Sequence, residues 1–307
     1  MRALVRLWEL IIERFHLKEF LEHPVPRYAN LNPLYWIGDV AAMSFFVLAI
    51  TGFALALLYM PGLSLTKTPP DPLLLGHHGK EVYDATQSYS SVYKITYLTP
   101  LGFILRQIHL WSAYMMVFAV FAHFFTKLIL GSYKRRGGGA LWLLGVSLGF
   151  LTISQTVLGY ILPLHLEGIL AIQIGLNLFR YFDYFGIPVG QLVLSALGSL
   201  FVTDQVIKMI YVLHILVVPA IMLVLLGLKI NGILYGGVSP PPIRDEELRR
   251  KAMEEKEPFY PHRFALTVGQ LLLQLSVILL LVAMTPLPLL EPWVPGQQVP
   301  AGVRPPW

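Results

Sequence analysis

Five apolar stretches, near residues 38–60, 101–130, 140–162, 206–229 and 264–287, decide which solvent this chain folds in. Each is long enough for a helix that crosses a hydrocarbon core, which takes about 20 residues. Composition agrees. The 307 residues are 55% hydrophobic and 13% charged, with a mean hydropathy of +0.62, whereas soluble domains carry about 25% charged residues. The second and fourth stretches differ from the others in holding histidine or lysine within the apolar span.

The basic residues orient these spans. Five Lys and Arg precede the first span, four lie in 127–136 and seven in 229–263, while loops 61–99 and 163–205 hold three and one. This alternation expects five spans with the N-terminus and the second and fourth loops on the cytoplasmic side of a bacterial inner membrane. The net charge of +5 is then a topology signal. No basic stripe sits on a soluble element, so no nucleic-acid partner is expected. The start, Trp8-Glu9-Leu10-Ile11-Ile12-Glu13-Arg14-Phe15, is amphipathic and reads as a helix lying on membrane lipid rather than as a cleaved signal. The absence of cysteine excludes disulfides, thiolate zinc sites, iron–sulfur ligation and thioether-linked haem on this polypeptide.

Between the spans, 61–99 is polar and turn-rich, and 163–205 is semi-apolar and suits short helices at the outer membrane face. Segment 230–263 contains Pro240-Pro241-Pro242 and a charge run from Arg244 to Glu257. It suits a boundary between a four-helix unit, 1–240, and a linker with one further helix, 241–307.

Ionisable residues inside spans are rare and point to function. The second span holds His109 and His123, fourteen residues apart. At 100° per residue both fall on one helix face, about 21 Å apart along the axis. One inward histidine near each leaflet is the geometry for two haems in a helix bundle, each needing a second axial ligand from a facing helix. The fourth span runs parallel to the second and supplies His214 at the depth of His109. The partner for His123 is expected fourteen or fifteen residues beyond His214, at Leu228 or Lys229, and neither is histidine. Lys229 has two readings: a lysine snorkelling its ammonium to the interface, or a neutral amine bound to iron. For the histidines the alternative is hydrogen-bonded packing residues, which gives no reason for three at matched depths. A non-redox transporter or scaffold fails on the same ground.

Motifs across residues 30–240 resemble the cytochrome b family, most closely the short plastid and cyanobacterial form of cytochrome b/f complexes. Thr51-Gly52-Phe53 is similar to that family's helix A. Arg106-Gln-Ile-His109-Leu-Trp111 with His123 and Leu130-Gly-Ser-Tyr-Lys134 is similar to its helix B. Trp142-Leu-Leu-Gly145 and Gly159-Tyr160-Ile-Leu-Pro163 resemble helix C, and Tyr211-Val-Leu213-His214 with Pro219 resembles helix D. The expected fold is an all-α membrane protein: a four-helix haem-binding transmembrane bundle, a fifth transmembrane helix and the N-terminal amphipathic surface helix. In this reading 1–240 is a di-haem domain, and the helix within 241–307 resembles the first helix of the small quinol-site subunit, where Leu290-Glu291-Pro292 has its counterpart.

The resemblance implies two b-type haems and quinone or quinol as substrate. His109 and His214 would hold the outer, low-potential haem and His123 the inner one. Aligned on Pro219, Lys229 falls where the family has its fourth histidine, which favours the ligand reading. Arg106 and Lys134 to Arg136 match basic positions that meet haem propionates or line the inner site. Gly52, Gly145 and Gly159 suit close approach to the macrocycle. The implied assembly is a quinol–cytochrome c type oxidoreductase, a dimeric complex with a Rieske iron–sulfur protein, a c-type cytochrome and a second b-family subunit.

The chain also departs from the family. Where its Pro-Glu-Trp-Tyr tetrapeptide is expected, the sequence reads Arg304-Pro305-Pro306-Trp307. The tryptophan after Gly-Tyr-x-Leu-Pro is Leu164, followed by His165-Leu166-Glu167, whose His165 and Glu167 are candidate substitute proton acceptors or solvated residues of a surface helix. Trp36 stands where the b/f form has the cysteine of an extra inner haem. These departures bear on quinol oxidation and leave haem binding intact. They also admit an alternative, a di-haem membrane anchor linking the quinone pool to a different peripheral oxidoreductase without bifurcation.

Overall fold

The computed structural model describes residues 14, 21–73, 82–134, 137–188, 190–192, 195 and 202–298. The N-terminal surface helix expected around Arg14 (Arg14 itself excepted), Arg135, Arg136 and the stretch Arg304 to Trp307 lie outside them.

Helices dominate, and five are long and apolar enough to cross a membrane: Pro33–Ala56, Gly102–Ile129, Gly138–Ile161, Asp204–Gly236 and Phe259–Met284. In chain order the elements are α1 (Arg27–Leu31), α2 (Ile37–Ala56), α3 (Gln87–Leu98), α4 (Gly102–Ile129), α5 (Gly138–Ile161), α6 (Leu166–Asp183), α7 (Asp204–Val212), α8 (Val218–Gly236), α9 (Glu246–Glu254) and α10 (Phe264–Met284). A π-helical turn, Leu213–Val217, joins α7 to α8 so that they run on as one span. Local sequence explains most ends. Gly131 and Gly237, at φ +61° and +76°, follow α4 and α8 in the left-handed conformation that closes a helix cheaply only for glycine. Thr203 and Asp245 cap α7 and α9 by accepting from Val206 N and Leu248 N.

The chain forms two compact units, Met1–Phe45 with Tyr114–Gly149 and Val224–Ile278, and Phe46–Ala113 with Phe150–Leu223 and Leu279–Trp307. In the first, β1 (Pro24–Pro26) pairs antiparallel with β4 (Lys256–Pro258), fixing the chain just before α2 to the chain just before α10. Tyr28 and Tyr35 both donate to the Ser239 carbonyl. Asp39 forms an ion pair with Arg263, and Gln274 Nε2 donates to Ser44 Oγ at 2.6 Å. These links tie α10 to α2 by polar contacts, the usual glue between helices where lipid removes the hydrophobic drive.

In the second unit, β2 (Leu65–Thr68) pairs antiparallel with β3 (Tyr83–Thr86), which leads into α3. The turn-rich reading of 61–99 did not include this helix. Thr86 caps it by accepting from Tyr89 N, and Pro100 stands just past its end. Its buried polar side chains find partners near and far: Thr96 donates to the Val92 carbonyl at 2.7 Å, while Ser88 donates to the Gly62 carbonyl at 3.2 Å and Tyr89 to the Leu290 carbonyl at 2.9 Å. The apolar core of this unit gathers Ile161, Leu164, Ile169, Ile207 and Trp293.

Candidate functional site

In the second unit the structure brings together His109 on α4, His214 at the π-turn, Gly52 on α2 and Gly159 on α5. The two imidazole centroids are 6.3 Å apart, with the rings inclined by 75°. Each ring lies against a glycine. A Cβ on Gly52 would sit 3.0 Å from His109 Cε1, and one on Gly159 would sit 2.6 Å from His214 Cε1. The second is shorter than real Cβ contacts and the first sits at the tight limit, so the glycines make the room the rings occupy.

Hydrogen bonds fix the tautomers. Thr51 Oγ1 gives its own proton to the Val47 carbonyl at 2.7 Å, so at 2.9 Å from His109 Nδ1 it accepts. His214 Nδ1 lies 3.2 Å from the Gln155 carbonyl, which only accepts. Both histidines therefore carry the proton on Nδ1 and keep the Nε2 lone pair for a metal, the orientation that second-shell bonds to ligating histidines impose.

The first unit holds the second set. A Cβ on Gly38 would lie 2.8 Å from His123 Cε1, and one on Gly145 would lie 2.7 Å from Lys229 Nζ. Lys229 is within electrostatic reach of His123. The π-turn explains the register. A turn closed by an i to i+5 bond, here Val218 N to Leu213 O, holds one more residue than an α-turn. Fifteen residues rather than fourteen then bring the helix back to the face of His214, which selects Lys229, while Leu228 is 55% exposed. His123 Nδ1 is buried with no hydrogen-bond partner among the described residues.

The remaining sequence candidates sit elsewhere. The buried Arg106 guanidinium donates to the Leu287 and Pro288 carbonyls at 3.1 and 3.3 Å, which takes two of its five N–H donors. His165 is buried as the N-cap of α6, its Nδ1 accepting from Gly168 N at 2.8 Å, with Glu167 Oε2 3.4 Å away. Burial pushes the Glu167 carboxyl up, but the His165 ring and a backbone N–H outweigh it and hold the group below the ordinary carboxylate value. Sequence reasoning passed over Gly38, Thr51 as a partner of His109, and Gln155. Gly38 carried a signal: it precedes Gly52 by the same fourteen residues that separate Gly145 from Gly159 and His109 from His123. The other two carried none, because threonine and glutamine have many uses within helices.

Two sets of nitrogen donors, each backed by glycine on a neighbouring helix, define a membrane bundle of the haem-binding kind. A family model described as cytochrome b (N-terminal)/b6/petB matches residues 114–292, and the chain belongs to that family. Cytochrome b6 of Heliomicrobium gestii is 27% identical over 224 residues, which cover 73% of this chain and 92% of that protein. Cytochrome b6 of Heliobacterium modesticaldum (strain ATCC 51547 / Ice1) is 28% identical over the same shares. A solved chain described as hyperthermophilic respiratory Complex III shares the fold, with a TM-score of 0.72 at 23% identity over 97% of this chain and 73% of that one.

Family membership implies b-type haem, and the residues fit it. The 6.3 Å between the His109 and His214 ring centroids leaves space for one metal atom with two nitrogen bonds of about 2 Å. The glycines leave the flanks open, and the unpaired His123 Nδ1 belongs to a buried site whose polar partners are incomplete.

Proposed function

We infer that this chain is the electron-transferring cytochrome b subunit of a quinol–cytochrome c type oxidoreductase complex. His109 and His214 hold one b-type haem, and His123 with Lys229 holds a second. When bound, such a group supplies one-electron redox chemistry at a potential set by axial ligands, hydrogen bonds and burial. The observation that carries the reading is that all four donor side chains lie against glycines, where an added Cβ would come within 2.6 to 3.0 Å of them. The chain's own part is to present nitrogen lone pairs, fix imidazole tautomers through Thr51 and Gln155, and exclude water with apolar helices. Membership of the cytochrome b family favours this reading over a di-haem anchor for a different peripheral enzyme.

The finer assignments rest on the same basis. The complex is multi-subunit and of bc type; its partners are a Rieske iron–sulfur protein, a c-type cytochrome and a second b-family subunit, in a dimer. Residues 1–240 form the di-haem domain and 241–307 an added unit. Arg106, two of whose N–H donors go to Leu287 and Pro288, offers its remaining donors to the outer haem. Quinol is the electron donor, with His165 and Glu167 as proton acceptors only if the α6 cap opens, because His165 Nδ1 already accepts from the helix.

Pyridine haemochrome quantification with low-temperature EPR, on the purified protein and a Lys229→Ala variant, tests the ligand set. Two b haems, one of whose low-spin signals is lost in the variant, are expected. A spectrum and haem content unchanged by the substitution would remove Lys229 from the set.

A further inference from the structure

The π-turn at Leu213–Val217 has a second consequence, local to His214. A wider turn disturbs the i to i+4 ladder and leaves carbonyls turned away from their usual donors. The His214 carbonyl is met from the neighbouring helix: Gln155 Nε2 on α5 donates to it at 2.6 Å. In return, His214 Nδ1 donates to the Gln155 carbonyl at 3.2 Å. The same two residues are therefore joined twice, side chain to main chain in each direction. One bond holds the His214 backbone at its own carbonyl and the other holds its ring at Nδ1, so both ends of the side chain are fixed to α5. Gly159, one turn further along α5, receives the ring face. His109 is linked to a different helix, through Thr51 on α2.

We propose that Gln155 is the positioning residue that sets the ring angle of His214 and, through it, the potential of the outer haem. This rests on the reading that His214 is an axial ligand. The Nδ1–H to carbonyl bond shifts electron density onto the imidazole and strengthens it as a donor to the oxidised metal. The Gln155 amide keeps α5 and the π-turn in the register that makes this bond possible. Without the amide donor, the His214 carbonyl returns toward α-helical pairing, the Nδ1 bond lengthens and the ring turns. A weaker donor ligand favours the reduced state, so the potential rises.

The test uses the complete protein in its membrane complex, with Gln155→Met, Gln155→Glu and His214→Ala variants. Redox titration of each haem's visible band and the EPR position of each low-spin signal are the readouts. Gln155→Met is expected to raise the outer potential and move its EPR signal while the inner haem stays unchanged. Gln155→Glu, titrated at a pH where its carboxyl is protonated and so still a donor, is expected to keep wild-type values. Loss of the outer haem in Gln155→Met alone also supports the proposal; loss in both Gln155 variants, or movement of the inner signal instead, overturns it. If His214→Ala removes the outer haem and Gln155→Met changes nothing, Gln155 has no positioning role. If His214→Ala keeps the outer haem, the ligand reading itself fails, and the proposal with it.

Discussion

At the residue scale the protein is organised by a spacing of four helical turns. Gly38 and Gly52, His109 and His123, and Gly145 and Gly159 are each fourteen residues apart, and His214 and Lys229 are fifteen. Three helices keep the α-helical repeat, and the fourth needs one extra residue because of its π-turn. Glycine is required at these points by packing rather than by backbone angle. Gly159→Ala places a Cβ 2.6 Å from His214 Cε1 and should displace the ring, so that the purified variant loses the outer haem's visible and EPR signals and keeps the inner ones. Gly149→Ala on the same helix meets only Val120 Cγ1 at 3.9 Å, an ordinary contact, and should retain full haem content. A Gly159→Ala variant with both haems intact would show that the glycine is incidental.

At the element scale, the segment after α10 is more firmly held than its Pro- and Gly-rich composition suggests. Gln107 on α4 is fully buried; its Nε2 donates to the Leu287 carbonyl at 2.7 Å and its Oε1 accepts from Leu287 N at 3.0 Å. Arg106, Asp71 and Tyr89 bind the next three residues through backbone groups, and Trp293 N donates to the Leu164 carbonyl at 3.0 Å. A buried amide left without its partner costs about 1–3 kcal/mol. Gln107→Leu orphans the Leu287 N–H, while the Leu287 carbonyl keeps Arg106, and should lower the unfolding temperature in detergent, with a new protease-sensitive site near residue 287. An unchanged melting curve and cleavage pattern would mean that the other anchors hold this segment unaided. The fifth helix was legible from hydropathy alone. Its tether was not, because Gln107 in an apolar span reads equally well as a helix-packing amide.

At the scale of the whole molecule, the distribution of Lys and Arg gives a membrane orientation that can be measured directly. The chain has no cysteine, so single cysteines report one position each. Asp84 in β3 and Glu247 in α9 are exposed, with side-chain exposures of 48% and 69%. An impermeant maleimide applied to right-side-out vesicles should label Asp84→Cys and spare Glu247→Cys until the membrane is permeabilised. The opposite pattern would invert the topology. Membership of the cytochrome b family bears on the same scale, since it implies a multi-subunit complex of bc type.

Sequence by itself determined the solvent, the helical class, the five apolar helices and the three histidines, because a bilayer demands long apolar helices and tolerates ionisable residues only at a cost. The resemblance to cytochrome b also singled out Gly52, Gly145 and Gly159. The tertiary structure decided the rest. It set Lys229 Nζ against Gly145, in a register that follows a π-turn and cannot be read from the composition of Leu213–Val217. It turned Arg106 toward the chain after α10, made His165 a helix cap, and gave Thr51 and Gln155 their roles. Each of those choices is a hydrogen bond between residues distant in the chain or set by a local turn, and burial forces such a bond without any sequence periodicity announcing which partner it will take.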